Sequence, residues 1–209
     1  MGQSFALMKL LNVAYLLGFL VFSQCISFAK YNLPETKLPE NANAEKKIIL
    51  LTYSQAATVG DRERKVADES SRKQSEDRFL RALQSHPRVL SVVTDPQAKY
   101  DLKLDIKLES QVSLYSSALG MILTGISYLT LTALPMDVEQ DSTITFQFAN
   151  EKSKTQISLV REVHFRTWIG ILTIPLMPFY GLNGTTEKTF VDVSHSALNE
   201  ALEKQPKLF

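Results

Sequence analysis

The stretch Tyr100–Leu114, YDLKLDIKLESQVSL, decides the fold. Tyr100, Leu102, Leu104, Ile106, Leu108, Val112 and Leu114 share one parity, and Asp101, Lys103, Asp105, Lys107 and Glu109 share the other. Side chains along a strand point alternately to opposite faces. This pattern therefore predicts a sheet with one buried face and one wet face.

Upstream of it, Val89–Val93 reads as a short strand and Asp95-Pro96 as a turn. The apolar run Ile48–Tyr53 is rich in β-formers and reads as a buried strand. Between these two lies a heavily charged stretch, 61–78, with Asp68, Ser70 or Ser71 placed to cap a helix. Phe79, Leu80, Ala82 and Leu83 give that helix one apolar face near its end, and His86-Pro87 stops it. The charge run is read as a solvated helix face.

Downstream, Ile144, Phe146 and Phe148 alternate with Thr143, Thr145 and Gln147. Ile157, Leu159, Val163 and Phe165 alternate with Ser158, Glu162, His164 and Arg166, and Asn150–Lys154 joins the two strands as a hairpin. Arg161 falls on the apolar parity. Either its strand lies at a sheet edge, where inward charge discourages aggregation, or it meets a buried acid; the edge reading is favoured. Leu198, Ala201 and Leu202 recur at helical spacing, so 192–204 reads as a second amphipathic helix, with Ser194 as a capping residue near its start. Gly181, Asn183 and Gly184 read as turn chemistry. The expected fold is α+β: a two-layer sandwich with a mostly antiparallel sheet of four to five strands and two helices on one face, in the order β-α-β-β-β-α.

Two uncharged stretches stand apart from this frame. One lies between Glu109 and Asp137, the other between Arg166 and Glu187. Loops of an ordinary domain are polar. The segment 115–134 has the length of a membrane span but is diluted by serine and threonine; 168–182 is shorter and holds Pro175 and Pro178. Three readings stay open: core helices under the sheet, a membrane-inserting crown, or a surface for a protein partner or self-association. The contact candidates are Trp168, Ile171, Leu172, Leu176, Phe179 and Tyr180. An antiparallel meander sends both stretches out of the same end of the sheet, and a right-handed crossover puts the N-terminal tether at the opposite end.

The N-terminus carries the most specific signal. From Leu10 to Ala29 there is no charge, with Lys9 before and Lys30 after. A basic start and an apolar run are what the export machinery engages. Met8-Lys9 is itself a typical opening, so either Met1 or Met8 is the start. The run closes in Leu20-Val21-Phe22-Ser23-Gln24-Cys25. This resembles a bacterial lipoprotein signal, which implies a diacylglycerol on Cys25 after cleavage. The usual signal has a small residue before the cysteine. Gln24 departs from that and is closer to the looser form of spirochaetes. An uncleaved signal anchor is the alternative reading of the same run. The expected organisation is a signal peptide over 1–25, a flexible tether over 26–46 rich in Pro, Asn, Glu and Lys, and one domain over 47–209.

Composition narrows the function classes. The chain has 209 residues, net charge +1, one cysteine and three histidines, with 44% hydrophobic residues. Neither a disulfide within the chain nor a Cys/His zinc site is expected, nor any other metal or cofactor. No basic run interleaved with aromatics points to nucleic acid. No catalytic motif such as G-x-S-x-G, a P-loop or H-E-x-x-H occurs. The Asn183-Gly184-Thr185 triplet fits a glycosylation pattern, but such triplets arise by chance.

The element order, together with the signal, is similar to the lipopolysaccharide-assembly type of small envelope lipoproteins; this implies an architecture and no site residues. The resulting expectation is a non-enzymatic envelope lipoprotein with a binding, assembly or structural role. It is held through Cys25 at the outer membrane in preference to the inner. The alternative is an integral membrane protein using the N-terminal run, 115–134 and possibly 168–182 as spans.

Overall fold

The computed structural model describes residues 25–34, 46–59, 65–66, 68–113, 136–169 and 182–208. The elements are β1 (Cys25–Tyr31), β2 (Lys47–Val59), β3 (Lys65–Val66), α1 (Glu69–Gln84), β4 (Val89–Val93), β5 (Leu102–Ser113), β6 (Met136–Asn150), β7 (Thr155–Ile169) and α2 (Leu182–Lys204), followed by a 3-10 turn, Pro206–Leu208. The fold is α+β. Its sheet has seven strands among the described residues, in the order β1-β7-β6-β5-β2-β3, with β4 pairing to β2 beside β3. The sheet is mixed: β2 runs parallel to both β4 and β5, and the remaining pairs are antiparallel.

Strand parity organises the core as the sequence demands. One face of the sheet carries Leu51, Leu104, Phe148 and Ile157 in one row across four strands, and Tyr53, Ile106, Phe146 and Leu159 in the next. Both helices close over these rows. Phe79, Ala82 and Leu83 from α1 and Phe190, Val193, Ala197, Leu198 and Ala201 from α2 join one core cluster. Phe79 sits at its centre, edge-on to Phe146 and Phe190. The opposite face carries the ladder Lys103–Asp105 (3.4 Å) and Lys107–Glu109 (3.0 Å), both at the solvent surface.

Local signals explain the element ends. Asp68 caps α1 by accepting from the Ser71 N–H at 2.9 Å, and it also accepts from both serine hydroxyls. Those bonds hold its carboxyl down at about 2. The β6–β7 hairpin turns on Asn150, whose Oδ1 accepts from the Lys152 and Ser153 amides. Lys154 takes a left-handed φ of 52° in the same turn.

Four expectations need correction. The sheet exceeds four to five strands because β1 and β3 fall outside clear alternation. The tether expected over 26–46 opens as a strand: Cys25–Tyr31 pairs along β7, and the Tyr31 hydroxyl donates to Asp192 of α2 at 2.6 Å. Burial, reinforced by that carboxylate, pushes the Tyr31 pKa up to about 12. The last helix begins at Leu182 rather than 192. Asn183 and Gly184 therefore lie in its first turn, and Ser194 is a fully buried mid-helix residue instead of a cap. Thr186 and Thr189 on the buried side hide the apolar periodicity of those early turns.

The fourth correction concerns Arg161. With β1 outside it, β7 is not an edge, and the Arg161 guanidinium pairs with Glu200 of α2. Burial alone would raise the Glu200 carboxyl; bonds from Lys204 (2.6 Å) and from Arg161 outweigh it and hold the pKa below its ordinary value.

Candidate functional site

Cys25 is the first residue of β1, and its backbone lies opposite Ile169, the last residue of β7. Ile169 in turn lies opposite Met136, where β6 begins, and Ser113 ends β5 beside Glu139. Both uncharged stretches therefore leave and rejoin the described fold at the end where Cys25 lies. The chain enters β2 at the opposite end, as expected, but Cys25 lies at the end of the uncharged stretches, because β1 runs along β7 from there toward the far end before β2 starts. Trp168 belongs to β7, between Ile26 and Asp137. Ile171, Leu172, Leu176, Phe179 and Tyr180 lie outside the described residues, as does all of 115–134. Among the described residues no helix is long and apolar enough to cross a membrane.

Toward that same end, the helix-facing side of the sheet changes character. Past the row of Gln55, Leu108, Ile144 and Arg161, the next row holds Ser110 and Ser142 beside Val163, then come Val112, Gln140 and Phe165, then Val138, Thr167 and Ser27. These polar groups pair with one another. The Ser27 and Thr167 hydroxyls are 2.9 Å apart, and those of Ser110 and Ser142 are 3.0 Å apart. The Gln140 amide donates to Ser110 at 3.2 Å and to Ser142 at 3.1 Å. Such mutual bonding is what makes hydroxyls tolerable at a buried position.

Ser27, Gln140, Ser142 and Thr167 of this ladder form the floor of a cavity of about 350 Å³ between sheet and helices. Thr186 and Thr189 of α2, with Gln74 and Ser75 of α1, add hydroxyl and amide groups to its wall; Phe165, Phe190, Leu108 and Ile144 supply apolar surface. Among the described residues one charged side chain reaches it, Arg78 of α1, whose guanidinium lies 5.9 Å from the Phe190 ring centre. Burial lowers the Arg78 pKa, with the Glu187 charge opposing. Glu187 pairs with Arg81 instead, at 3.1 Å. Among the described residues no carboxylate lines the cavity. Sequence reasoning missed this site. Its signal was nonetheless present: Ser110, Gln140, Ser142 and Thr167 occupy the buried parity of strands that are mostly apolar along it.

Other clusters are structural. His86 is buried between α1 and α2. Its Nδ1 accepts from the Arg88 N–H at 3.2 Å, so Nε2–H donates to Asn199 Oδ1 at 3.0 Å. His195 packs edge-on against it with ring centres 4.8 Å apart, and its Nε2 lies 3.0 Å from both Ser85 Oγ and the Ala82 carbonyl. The Ser85 hydroxyl itself donates to Ala82 O at the end of α1, a capping role. Across the sheet, a broad open groove is lined by Lys30, Asp141, Thr143, Glu162 and His164. His164 there bonds Asp141 at 2.6 Å. Among the described residues no three His, Cys, Asp or Glu side chains come together to hold a metal.

No family model matches the chain, and no curated protein does. Solved structures resemble it at low identity. A PelC dodecamer from Paraburkholderia phytofirmans aligns at 8% identity over 81% of this chain and 97% of that one, with a TM-score of 0.40. A Helicobacter pylori structure described as a putative neuraminyllactose-binding hemagglutinin homolog aligns at 14% over 83% and 89%, with a TM-score of 0.37. A Xanthomonas campestris protein of the DUF330 family aligns at 12% over 85% and 95%, with a TM-score of 0.36.

Proposed function

We propose that this chain is an exported lipoprotein of the bacterial cell envelope, anchored through a diacylglycerol on Cys25, with a binding or assembly role and no catalytic one. The observation that carries the reading is the uncharged run from Leu10 after Lys9, closing in Ser23-Gln24-Cys25. The register adds support. Cys25 opens β1 directly, with no leash between it and the sheet. A lipid there holds one end of the sheet at the membrane surface, the end where both uncharged stretches leave. The anchored end also carries the polar cavity, since Ser27 is two residues from Cys25.

The test is metabolic labelling with a fatty-acid analogue in a bacterial host, comparing the natural chain with Cys25→Ser. The natural chain should label and sediment with membranes. The variant should lose the label and be released at least in part. Label persisting in Cys25→Ser, or none on the natural chain, would sink the proposal.

A further inference from the structure

We propose that the cavity between Ser27, Ser142, Thr189 and Arg78 binds a small polyhydroxylated anion, its hydroxyls on the serine and threonine ladder and its negative charge on the Arg78 guanidinium. Three observations converge. First, the floor and walls carry hydroxyls and amides, which both donate and accept, and among the described residues no carboxylate. A ligand hydroxyl does both as well, so it finds a complement whichever way the ladder hydrogens turn. Second, Arg78 is half-buried at this wall with no ion-pair or hydrogen-bond partner among the described residues; its neighbour Arg81 takes Glu187. A guanidinium matches the planar or tetrahedral oxygens of a carboxylate or phosphate with two parallel bonds. Third, Phe165 and Phe190 give flat apolar walls on which the C–H faces of a polyol can rest.

The volume of about 350 Å³ admits a single sugar acid or polyol phosphate. The chemistry has two sources, a free sugar acid or polyol phosphate and the headgroup of an anionic phospholipid. The inference does not depend on lipidation of Cys25, and the two fail separately: binding is measured equally well on Cys25→Ser.

The experiment titrates the full chain, purified in neutral detergent, with D-glucuronate, with glycerol 3-phosphate, and with vesicles containing phosphatidylglycerol. Neutral glycerol and inorganic phosphate serve as comparisons. Saturable binding is expected for at least one polyhydroxylated anion, weaker for the comparisons. Binding of the soluble probes assigns a free ligand, and binding of the vesicles alone assigns a headgroup. Arg78→Gln should weaken it about tenfold or more, the loss of a charge-assisted bond, with the melting temperature little changed because Arg78 is outside the core cluster. Ser142→Val, which fills the floor with a methyl group, should weaken it independently. Absence of saturable binding to all three probes overturns the proposal. So does binding that Arg78→Gln and Ser142→Val, both still folded, leave unchanged; a cavity holding only water predicts that result.

Discussion

The rows Leu51–Leu104–Phe148–Ile157 and Ser110–Ser142 lie on the same face of the same strands, yet one is a packed apolar core and the other a hydrogen-bonded floor under open space. Both lie under the same pair of helices. The first half holds the fold together by removing aromatic and aliphatic surface from water. The second half would be more simply built from valine and leucine. Its hydroxyls gain little net stability by bonding one another, and they leave a cavity. A polar surface kept where an apolar one would pack better points to a purpose other than folding.

The comparison breaks most sharply if charge is placed in the first half. Ile106→Asp should abolish the cooperative thermal transition, since it buries an unpaired carboxylate at a fully enclosed position and costs more than about 4 kcal/mol. Lys103→Ala, on the wet face of the same strand, should shift stability by less than about 0.5 kcal/mol. Equal effects would mean the strand is covered on both sides.

Between the halves sits Arg161. Arg161→Met should cost about 3 kcal/mol in chemical denaturation, because Glu200 is left buried with only Lys204 for company. Adding Glu200→Leu should recover most of the loss. A double variant no better than the single would show that the pair itself, rather than the orphaned carboxylate, matters.

His86 sharpens the comparison through pH. Burial pulls its pKa below the ordinary 6.5, against a smaller rise from Asn199. The unfolded chain then binds a proton before the folded one, so this contribution is complete above about pH 6.5 and is lost as pH falls. The slope reaches at most about 1.4 kcal/mol per pH unit. Melts between pH 7 and about 4.5 should decline in the natural chain and decline less in His86→Gln; matching slopes would exclude His86 as the source. The smallest effect belongs to the polar half. Ser110→Ala with Ser142→Ala removes both members of a bonded pair without adding volume and leaves the part-buried Gln140 amide to water, and stability should stay within about 1 kcal/mol.

The apolar half was legible because its parity is strict: Leu102 to Leu108 and Ile144 to Phe148 name their face without help. The capping of α1 by Asp68 and the Asn150 hairpin were legible for the same local reason. What escaped depends on distant partners. Strand β1 follows a long uncharged run and reads as a tether until β7 supplies its hydrogen bonds, and the position of Cys25 follows from that pairing alone. Arg161 announced a buried charge, but its acid lies on a helix 39 residues later. The early turns of α2 present threonine to the interior, a residue that favours other conformations. The cavity floor was written as Ser27, Ser142 and Thr167 on the helix-facing parity, a departure that acquires meaning only when three strands bring them into nearby rows.

The central claim is that the Cys25 end of the sheet faces the membrane. It is tested most directly by spin labels on the lipidated chain in vesicles carrying a paramagnetic headgroup. Gln111→Cys puts a label at that end on an exposed position, and Lys152→Cys puts one in the β6–β7 hairpin, roughly 30 Å away along the strands. Strong relaxation at 111 and weak relaxation at 152 is expected. Equal relaxation at both, or the reverse order, would contradict it.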